Sequence, residues 1–554
     1  MSAERDLPRW CRDLVELYES DAASQFILYG NVDDRFLLSD GQPARLGSLT
    51  DFLRETLLGA FDIVIGYDVG NGIRIEKGSD LFAEWPYLKE NPQLPRQPRG
   101  AIETLTHYFR YCANWARAGG PRRRIACTLR STHLFAPSLQ AGFNADTNAL
   151  AVLMRDWSSD GLLTEYPLAS FLATGTLSDL HPLLARNPRA ATIEIPLPSA
   201  DDYLKTLTVL TGAYPVALGR PQASLQAAAA QLAGASVSSV ERLLRTLEHR
   251  NAGWTSADLA ELKKRSVELD GEGLIEFLQP ERTLEDVHGQ EPLKKWLRQD
   301  IALWQQGDVD AVPKGYLLCG PVGTGKTFML ECLAGEAGVP VVRLKNFRDM
   351  WVGSTEGNLE KIFRLVHALG RCMVFVDEAD QALGRRQAGS SDSGTSGRVY
   401  GMIAEEMGSS HNRGRIVWVL ASSRPDLIEV DLKRPGRIDV KIPILPTSSA
   451  EEGFELLRAL CSRRRVGVQP EALDALRAQI PARLTPGAAE VLAVKTYRLV
   501  RTENLSPLDA LRRCLEDYRP AVSDSVMDFQ IQLAIGEASD ASFIPEAYRK
   551  HLSG

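Results

Sequence analysis

The feature that most constrains the fold is an internal similarity between the two halves of the chain. The first half contains the run Phe26-Ile-Leu-Tyr-Gly-Asn-Val32, and the second contains the matching run Tyr316-Leu-Leu-Cys-Gly-Pro-Val322. Each is typical of a buried strand that enters a loop at a glycine. Further on, an Asp-Leu pair at 179–180 and another at 426–427 each precede an Ile-Pro pair, with 17 residues from the aspartate to the proline in both halves. The repetition predicts two copies of one architecture.

Within each half, strand patterns alternate with helix patterns, and an alanine- and leucine-rich stretch with helical spacing follows. This order predicts an α/β fold with a largely parallel sheet flanked by helices in each half. The predicted domains are an α/β domain at 1–198 with a helical lid at 199–269, a linker at 270–282, an α/β domain at 283–446 with a helical lid at 447–521, and a C-terminal helix and tail at 522–554. No chemistry follows from the sequence of that last stretch.

Composition excludes several classes of protein. With 44% apolar and 24% charged residues the chain is typical of a soluble globular protein rather than a disordered one. The net charge of −7 counts against a dedicated duplex-DNA binder. The eight cysteines form no CxxC pair, so we expect reduced, packed thiols. Since no apolar run suits a signal peptide or a membrane span, we expect a cytoplasmic protein with no membrane partner.

The second half carries a complete phosphate-binding signature. It follows an apolar run and precedes a helical pattern, which is the context that the motif requires. Glycines allow successive backbone N–H groups to face phosphates at a helix N-terminus, and a chance glycine-rich turn is the disfavoured alternative. Lys326 would neutralise the β- and γ-phosphates and Thr327 would bind Mg²⁺. The residues assigned to nucleotide binding here are Gly320, Pro321, Val322, Gly323, Thr324, Gly325, Lys326, Thr327 and Phe328.

Two further strand patterns end in polar residues. Cys372-Met-Val-Phe-Val376 leads into Asp377, predicted to hold the metal, and Glu378, predicted to polarise the attacking water as a general base. Alone this pair would indicate a solvated loop, but it follows a phosphate loop by fifty residues. The run 416–423 leads to Arg434 and Arg437, which are either a surface pair or fingers that stabilise charge on the transferring phosphoryl group.

From about residue 283 to 521 the chain resembles a module of the AAA family of ATPases. The motifs that carry the resemblance occur in the family's order. They are Asp286-Val-His-Gly289, PKGYLLCGPVGTGKT, MWVG at 350–353, VFVDEAD, GRVYGMIAEEMG at 397–408, LASSRPDL and RPGRID. Several details, including SDSGTSGRVYG, are also similar to chloroplast-encoded AAA proteins and their bacterial relatives.

The resemblance implies roles for residues outside the phosphate loop. Asp286, Val287 and Gly289 would lie against adenine. Arg434 and Arg437 would reach into the site of a neighbouring subunit, which implies a homo-oligomer, a hexamer in this family. Trp351 and Val352 would face a central pore, although a tryptophan is more often a core residue.

Three positions depart from the family pattern. Ser423 stands where the family's first sensor is usually asparagine, and the shorter side chain is expected to orient water less well. His288 interrupts the family's glycine pair before the adenine site. The run Gly487-Ala-Ala-Glu490 offers no arginine for a second sensor, as in the AAA clade proper.

The first half lacks the corresponding chemistry. Aligning Gly30 with Gly320 places Phe36 and Leu37 where the lysine and the hydroxyl stand in the second half, and the best match to VFVDE, residues 125–130, has no carboxylate. Since these groups supply the main electrostatic stabilisation of hydrolysis, we expect a degenerate AAA-like domain without nucleotide turnover. Arg186 and Arg189 keep the spacing of the finger arginines, and we expect them to make structural pairs.

The function implied by the resemblance is an ATP-hydrolysing motor that remodels or unfolds protein substrates, with only the second module catalytic. Two alternatives stay open. One is an ATP-dependent assembly or regulatory scaffold with slow turnover, and the other is a nucleic-acid motor, against which the acidic balance counts. The arginine runs 122–124 and 463–465 are predicted to be solvated faces. Because the sequence has no HExxH motif, we do not expect a membrane-anchored zinc protease.

Overall fold

The chain folds into two units, each built around one six-stranded, mainly parallel sheet within the described residues. The computed structural model describes residues 7–38, 45–138, 144–219, 225–271, 273–345, 355–383 and 393–553. The first unit comprises residues 1–271 and 353–368, and the second comprises residues 272–352 and 369–554. The helices that flank each sheet confirm the predicted α/β class.

The first unit alternates strands and helices before its helical end. Its strands are β1 (Gln25–Gly30), β2 (Phe36–Leu38), β3 (Arg45–Gly47), β4 (Ile63–Asp68), β5 (Gly72–Lys77), β6 (Ile125–Leu129), β7 (Leu168–Thr174) and β8 (Ala190–Ile195). Its helices are α1 (Arg9–Glu19), α2 (Leu49–Phe52), α3 (Ser79–Ala83), α4 (Tyr87–Glu90), α5 (Pro98–Arg117), α6 (Ala145–Asp156), α7 (Gly161–Thr164), α8 (Pro182–Ala185), α9 (Ala200–Ala213), α10 (Pro215–Gly219), α11 (Leu225–Leu232), α12 (Val237–His249) and α13 (Ser256–Asp270).

The remaining elements lie later in the chain. The strands are β9 (Ile275–Leu278), β10 (Gly315–Cys319), β11 (Val341–Leu344), β12 (Cys372–Val376), β13 (Ile416–Ser422) and β14 (Val440–Pro443). The helices are α14 (Glu291–Gln306), α15 (Lys326–Ala337), α16 (Thr355–Leu369), α17 (Ala379–Ala382), α18 (Ser393–Gly408), α19 (Ala450–Arg463), α20 (Ala472–Leu476), α21 (Pro486–Thr502), α22 (Pro507–Glu516) and α23 (Asp524–Glu537). Helix α16 falls within the predicted domain 283–446, yet almost all of it groups with the first unit.

The two sheets have the same strand order. It is β8-β1-β7-β6-β4-β5 in the first unit and β14-β10-β13-β12-β11-β9 in the second. In both, the last strand is antiparallel and the other five are parallel. The last strand differs in origin, because β5 follows β4 as a hairpin whereas β9 comes from the predicted linker 270–282 and precedes the rest of its sheet. The internal similarity of the sequence is therefore a similarity of topology.

Burial on both faces explains the apolar runs that mark the central strands. All residues of β10, β12 and β13 are buried, as expected for parallel strands covered by helices on each side. Parallel strands end at one edge of the sheet, so the loops that follow these three strands are neighbours. In open α/β sheets this edge is where ligands bind.

The expectation of reduced, packed cysteines is confirmed. All eight cysteines are buried and free, and burial raises the pKa of Cys319 to about 12, which keeps this thiol protonated at physiological pH. Among the helices in the described ranges, none has the length and apolarity to cross a bilayer.

Candidate functional site

The phosphate-loop motif forms a strand, a loop and a helix. Strand β10 ends at Cys319, and α15 begins at Lys326 with Gly325 as its N-cap. Gly323 and Gly325 have φ of +83° and +87°, conformations that favour glycine. The loop thus leads into a helix N-terminus, whose free N–H groups and positive partial charge form an anion-binding site.

Lys326 lies over its own loop. Its Nζ donates hydrogen bonds to the carbonyl oxygens of Gly320 and Pro321 at 2.8 and 2.9 Å. Burial lowers the pKa of Lys326 while the nearby charge of Asp377 opposes that shift. A half-buried ammonium bonded to neutral carbonyls gains stabilisation from an anion placed on the loop, as the sequence predicted for this residue.

The two predicted metal ligands are in contact. Thr327 Oγ1, at the start of α15, donates to Asp377 Oδ2 at 3.1 Å across the end of β12. A hydroxyl and a carboxylate side by side are the hard oxygen donors that Mg²⁺ prefers. Glu378 follows with φ of +46°, an exposed side chain and a backbone N–H that donates to Asp377 Oδ1 at 3.0 Å. Its carboxylate is therefore accessible from the edge of the sheet where the phosphate loop lies.

The end of β13 links the phosphate loop after β10 to the acidic residues after β12. The N–H of Gly320 donates to the carbonyl oxygen of Ser422 at 3.2 Å. Ser422 Oγ donates to Asp380 Oδ1 at 2.5 Å, and the N–H of Arg424 donates to Ser422 Oγ at 2.9 Å. Ser423 comes directly after β13 and is half-buried. Sequence reasoning identified Ser423 but missed the pair Ser422 and Asp380, although both are neighbours of predicted residues.

The lid of the second unit touches the phosphate loop. The N–H of Gly487, at the start of α21, donates to the carbonyl oxygen of Gly323 at 2.9 Å. A Cβ on Gly487 would lie 3.2 Å from that same oxygen, so this close approach favours glycine. The sequence analysis noted only that this run lacks an arginine. Its contact with the loop is a tertiary feature.

A cavity of about 580 Å³ lies next to these elements. About half of its lining is apolar, including Leu293, Leu445, Leu456 and Pro486. His288, Gly289 and the glutamates Glu451, Glu452 and Glu455 also line it. Burial lowers the pKa of His288, which favours a neutral imidazole at physiological pH. Of the residues assigned to adenine, Gly289 lines this cavity and Val287 is buried.

Asp286 is held by the lid. It ends a 3₁₀ turn whose capping box involves Thr283. From α19, Arg463 donates to the carbonyl oxygen of Asp286 at 2.8 Å. This contact places the residue between the α/β domain and the lid of the second unit.

The two candidate finger arginines share one partner. Arg434 pairs with Asp431 at 3.0 Å and its side chain is 68% exposed. Arg437 is 24% exposed, pairs with the same carboxylate and donates to the carbonyl oxygen of Asp431 at 2.8 Å. Arg434 is thus the more accessible of the two. Trp351 and Val352, the predicted pore residues, lie outside the described residues.

The loop that follows β1 in the first unit contains a buried carboxylate, that of Asp34. Asp34 is 6% exposed, and its carboxylate accepts hydrogen bonds from the N–H groups of Val237 and Ser238 at 2.8 Å and from Ser238 Oγ at 2.7 Å. These donors are the first turn of α12, the lid helix of this unit. A negative charge at a helix N-terminus is favourable. Asp34 therefore ties loop and lid together by a protein carboxylate.

The acidic strand end of the second unit has a counterpart without its acids. Strand β6 has the sheet position of β12, and the residues after it are Arg130 and Ser131. Ser131 has φ of +48°, close to the value at Glu378. Arg130 pairs with Asp68. Burial alone would raise the pKa of Asp68, but the hydrogen bonds from Arg130 and Asn71 lower this pKa to about 2. The backbone is retained and the carboxylates are replaced.

Two arginines of the run 122–124 make contacts within the chain. Arg122 donates to the carbonyl oxygen of Glu165 at 2.7 Å. Arg123 is 14% exposed and lies over the ring of Trp115 at 5.3 Å. For Arg123 the expected solvated face is therefore not observed.

Comparison with known families supports the motif reading. Residues 1–196 match the family described as the N-terminal Rossmann-like domain of AAA+ chaperones. Residues 316–445 match the family described as ATPases associated with various cellular activities, AAA. The resemblance to the AAA family is confirmed, and the first half, too, matches an AAA+ domain family.

The curated relatives include bacterial proteins named ATP-dependent zinc metalloprotease FtsH. The one from Lancefieldella parvula is 32% identical over 215 residues, which cover 37% of this chain and 32% of the relative. The one from Acidimicrobium ferrooxidans is 28% identical over 286 residues, covering 50% and 40%. Protein mac-1 of Caenorhabditis elegans is 32% identical over 152 residues, covering 27% and 18%. The chain thus spans less than half the length of these relatives.

The role of Asp34 can be tested by Asp34→Ala. Buried N–H groups of α12 would lose their acceptor, which costs about 1–3 kcal/mol, so we expect faster amide hydrogen exchange across residues 237–249. The exposed neighbour Asp33 supplies the control Asp33→Ala. Unchanged exchange in Asp34→Ala would show that the carboxylate does not hold the lid.

The decrease in stability caused by Asp34→Ala should depend on pH. Burial and the charge of Asp34 raise the pKa of Asp270 to about 6. The folded state therefore favours the protonated form of Asp270. Its contribution to the free energy of unfolding is present at low pH and is lost as the pH rises through about 6. Removing Asp34 relieves part of that loss, so we expect the destabilisation to be smaller at pH 8 than at pH 5.

Proposed function

Because the second unit of this chain belongs to the AAA family of ATPases, we propose that the protein is an ATP-hydrolysing motor that remodels or unfolds protein substrates. The match of residues 1–196 to a domain of AAA+ chaperones supports action on proteins. The observation that carries the proposal is the convergence of Lys326, Thr327, Asp377 and Glu378 at one edge of a sheet. In the proposal the first unit does not turn over nucleotide.

Binding of the triphosphate is assigned to the loop. The N–H groups of residues 323–328 would face the phosphates, and the ammonium of Lys326 would exchange its carbonyl partners for phosphate oxygens. Thr327 and Asp377 fit Mg²⁺ by their oxygen donors and their contact. The metal, when bound, would neutralise charge on the phosphates. Gly320, Pro321 and Val322 shape the loop that precedes the helix.

The adenine base of ATP is assigned to the cavity lined by His288 and Gly289. Its volume and lining suit a planar heterocycle, and Gly289 lies in its wall next to the neutral ring of His288. Asp286 and Val287 support this wall through the capped turn and the buried valine. The Arg463 contact makes the base site a point where lid and α/β domain meet.

Hydrolysis is assigned to Glu378, with Ser423 beside it. The exposed carboxylate of Glu378 can accept a proton from water, and its backbone is fixed by the bond to Asp377. Ser423 follows the strand between the phosphate loop and the acidic pair, where its hydroxyl could orient that water. The short serine side chain suits slow turnover.

A pair of variants tests this assignment. Glu378→Gln keeps the shape but cannot act as a base, so we expect ATP binding at one site per chain with hydrolysis reduced by about 10²–10⁴-fold. Lys326→Ala should remove ATP binding altogether, because the first unit has Phe36 and Leu37 where the second has Lys326 and Thr327. Equilibrium binding of labelled ATP and phosphate release measure both. Normal phosphate release by Glu378→Gln would remove Glu378 from this role, and saturable binding by Lys326→Ala would assign nucleotide to the first unit.

The proposed active form is a homo-oligomer, a hexamer by family resemblance. The exposure of Arg434 supports a role in a neighbouring subunit's site, with Arg437 positioned beside it through Asp431. We expect Arg434→Ala to lower ATPase activity roughly 10³–10⁵-fold. Mixing this variant with Lys326→Ala should restore part of the activity, since each supplies what the other lacks.

The control for that mixing experiment is a chain with both substitutions. Mixed with Arg434→Ala, it cannot complete any site, so no recovery is expected. Absence of recovery in both mixtures would leave Arg434 without a role in trans.

Pulling on a substrate is assigned to Trp351 and Val352 by the family resemblance. We expect an unfolded polypeptide, such as a reduced and carboxymethylated protein, to stimulate the ATPase of the wild type. Trp351→Ala should lose the stimulation, and Trp351→Phe should keep most of it because an aromatic side chain can still grip extended chain.

Other outcomes of the same assay identify the alternatives. ATP turnover indifferent to polypeptide and to Trp351→Ala would favour the assembly scaffold. Stimulation by single-stranded nucleic acid with steep salt dependence would favour a nucleic-acid motor. The internal contacts of Arg122 and Arg123 count against that option. A cytoplasmic location stays a prediction from the sequence.

A further inference from the structure

The C-terminal segment, residues 524–548, packs on the phosphate loop. Gln530, on α23, is 7% exposed, and its Oε1 accepts a hydrogen bond from the N–H of Val322 at 3.3 Å. Val322 stands two residues after the first glycine of the loop and its own side chain is exposed. A buried amide from the far end of the chain thus binds the backbone of the phosphate-binding motif.

Backbone pairing fixes the position of this segment. Lys441, on the edge strand β14, donates its N–H to Ser539 Oγ at 2.8 Å, and its carbonyl oxygen accepts from the N–H of Ser539 at 3.0 Å. The segment thereby covers an edge whose backbone groups would otherwise face solvent. Ala534 lies close to the strand that enters the loop, with its carbonyl oxygen 4.0 Å from Cys319 Sγ.

An ion-pair cluster anchors the end of α23. Glu537 pairs with Lys433 and, at 2.9 Å, with Lys441. Burial opposes ionisation of Glu537, but the hydrogen bonds from both lysines lower its pKa below the ordinary value. Lys433 is the residue before Arg434, so the helix joins the phosphate loop to the arginine-bearing segment.

The segment continues along the cavity. Phe543 packs edge-on against Trp296 with ring centroids 5.0 Å apart, and Ser542, Phe543 and Pro545 line the cavity. Tyr548 Oη donates to the carbonyl oxygen of Thr447 at 2.8 Å, at the start of the lid. The segment 524–548 therefore contacts the phosphate loop, the cavity and the first residue of the lid, Thr447.

We propose that Gln530 is a positioning residue for nucleotide binding, which it serves by holding the phosphate loop through the N–H of Val322. This inference rests on the proposed function of the loop. An anion-binding loop acts through the directions of its N–H groups, and these depend on backbone conformation. Gln530 fixes one peptide group from outside the phosphate-binding face, so the loop meets its ligand already ordered.

The test is Gln530→Met in the full chain, because methionine has a similar volume but no comparable acceptor. Loss of one hydrogen bond should weaken ATP binding about three- to tenfold. We expect the Kd and KM for ATP to rise by that factor, with kcat within about twofold, while thermal unfolding without nucleotide stays a cooperative transition. Gln532→Met is the matched control, since Gln532 is exposed on the same helix and should leave Kd and KM unchanged.

A double-mutant cycle tests whether Gln530 acts through the N–H of Val322. Val322→Pro deletes the donor, so adding Gln530→Met to it should weaken ATP binding no further. The same additional weakening in both backgrounds, or an unchanged Kd and KM in a folded Gln530→Met, would overturn the role of Gln530. If the wild type binds ATP and Lys326→Ala does not, an outcome that overturns the role of Gln530 leaves the proposed function of the phosphate loop in place. A wild type that binds no ATP would overturn the proposed function as well.

Discussion

The arrangement of the site depends on one constraint, which is that buried parallel strands must end at a common edge. The strand order places β13 between β12 and β10, so Ser422 and Ser423 lie between the acidic pair and the phosphate loop. The bond from Ser422 to Asp380 and the bond from Gly320 to Ser422 then connect all three strand ends. Backbone pairing of β12 with β13 and of β13 with β10 holds these loops in register, and burial of both sheet faces protects that pairing from solvent. The chemistry of the second unit is thus a consequence of how its sheet is covered.

The two units use the same contact between loop and lid with different chemistry. In the first, the carboxylate of Asp34 accepts hydrogen bonds from the first turn of α12. In the second, the lid helix α21 touches the loop through the bond from Gly487 to Gly323, and on the proposed function the anion beside this contact is the triphosphate of ATP. On the proposed function, the first lid is held by an anion that cannot leave. The second is held by one that hydrolysis changes, so only the second contact can alternate between two arrangements.

The sequence predicted the fold class and the phosphate-loop chemistry because both depend on patterns of residues that are close together in the sequence. Lys326, Thr327 and Asp377 could be assigned from a motif and from a strand followed by acids, and the structure brings them together. The antiparallel edge strand β9 was missed because a four-residue strand in a predicted linker has too little periodicity to be recognised. Asp34 and Gln530 could not be found because their partners lie 203 and 208 residues away. Such pairs depend on tertiary proximity, which no local pattern encodes.

The backbone after β6 in the first sheet and after β12 in the second shows how the two units differ. Glu378 and Ser131 share a left-handed conformation that is uncommon for residues other than glycine and costs free energy. At Glu378 this strain could be attributed to catalysis, but Ser131, which has no carboxylate, has the same conformation. The pairs formed beside these residues also correspond, since Thr174 bonds His133 as Ser422 bonds Asp380. The strained turn is therefore a requirement of the sheet and its neighbouring strand. Because the turn does not depend on the acids, the same backbone holds Asp377 and Glu378 in one unit and Arg130 and Ser131 in the other.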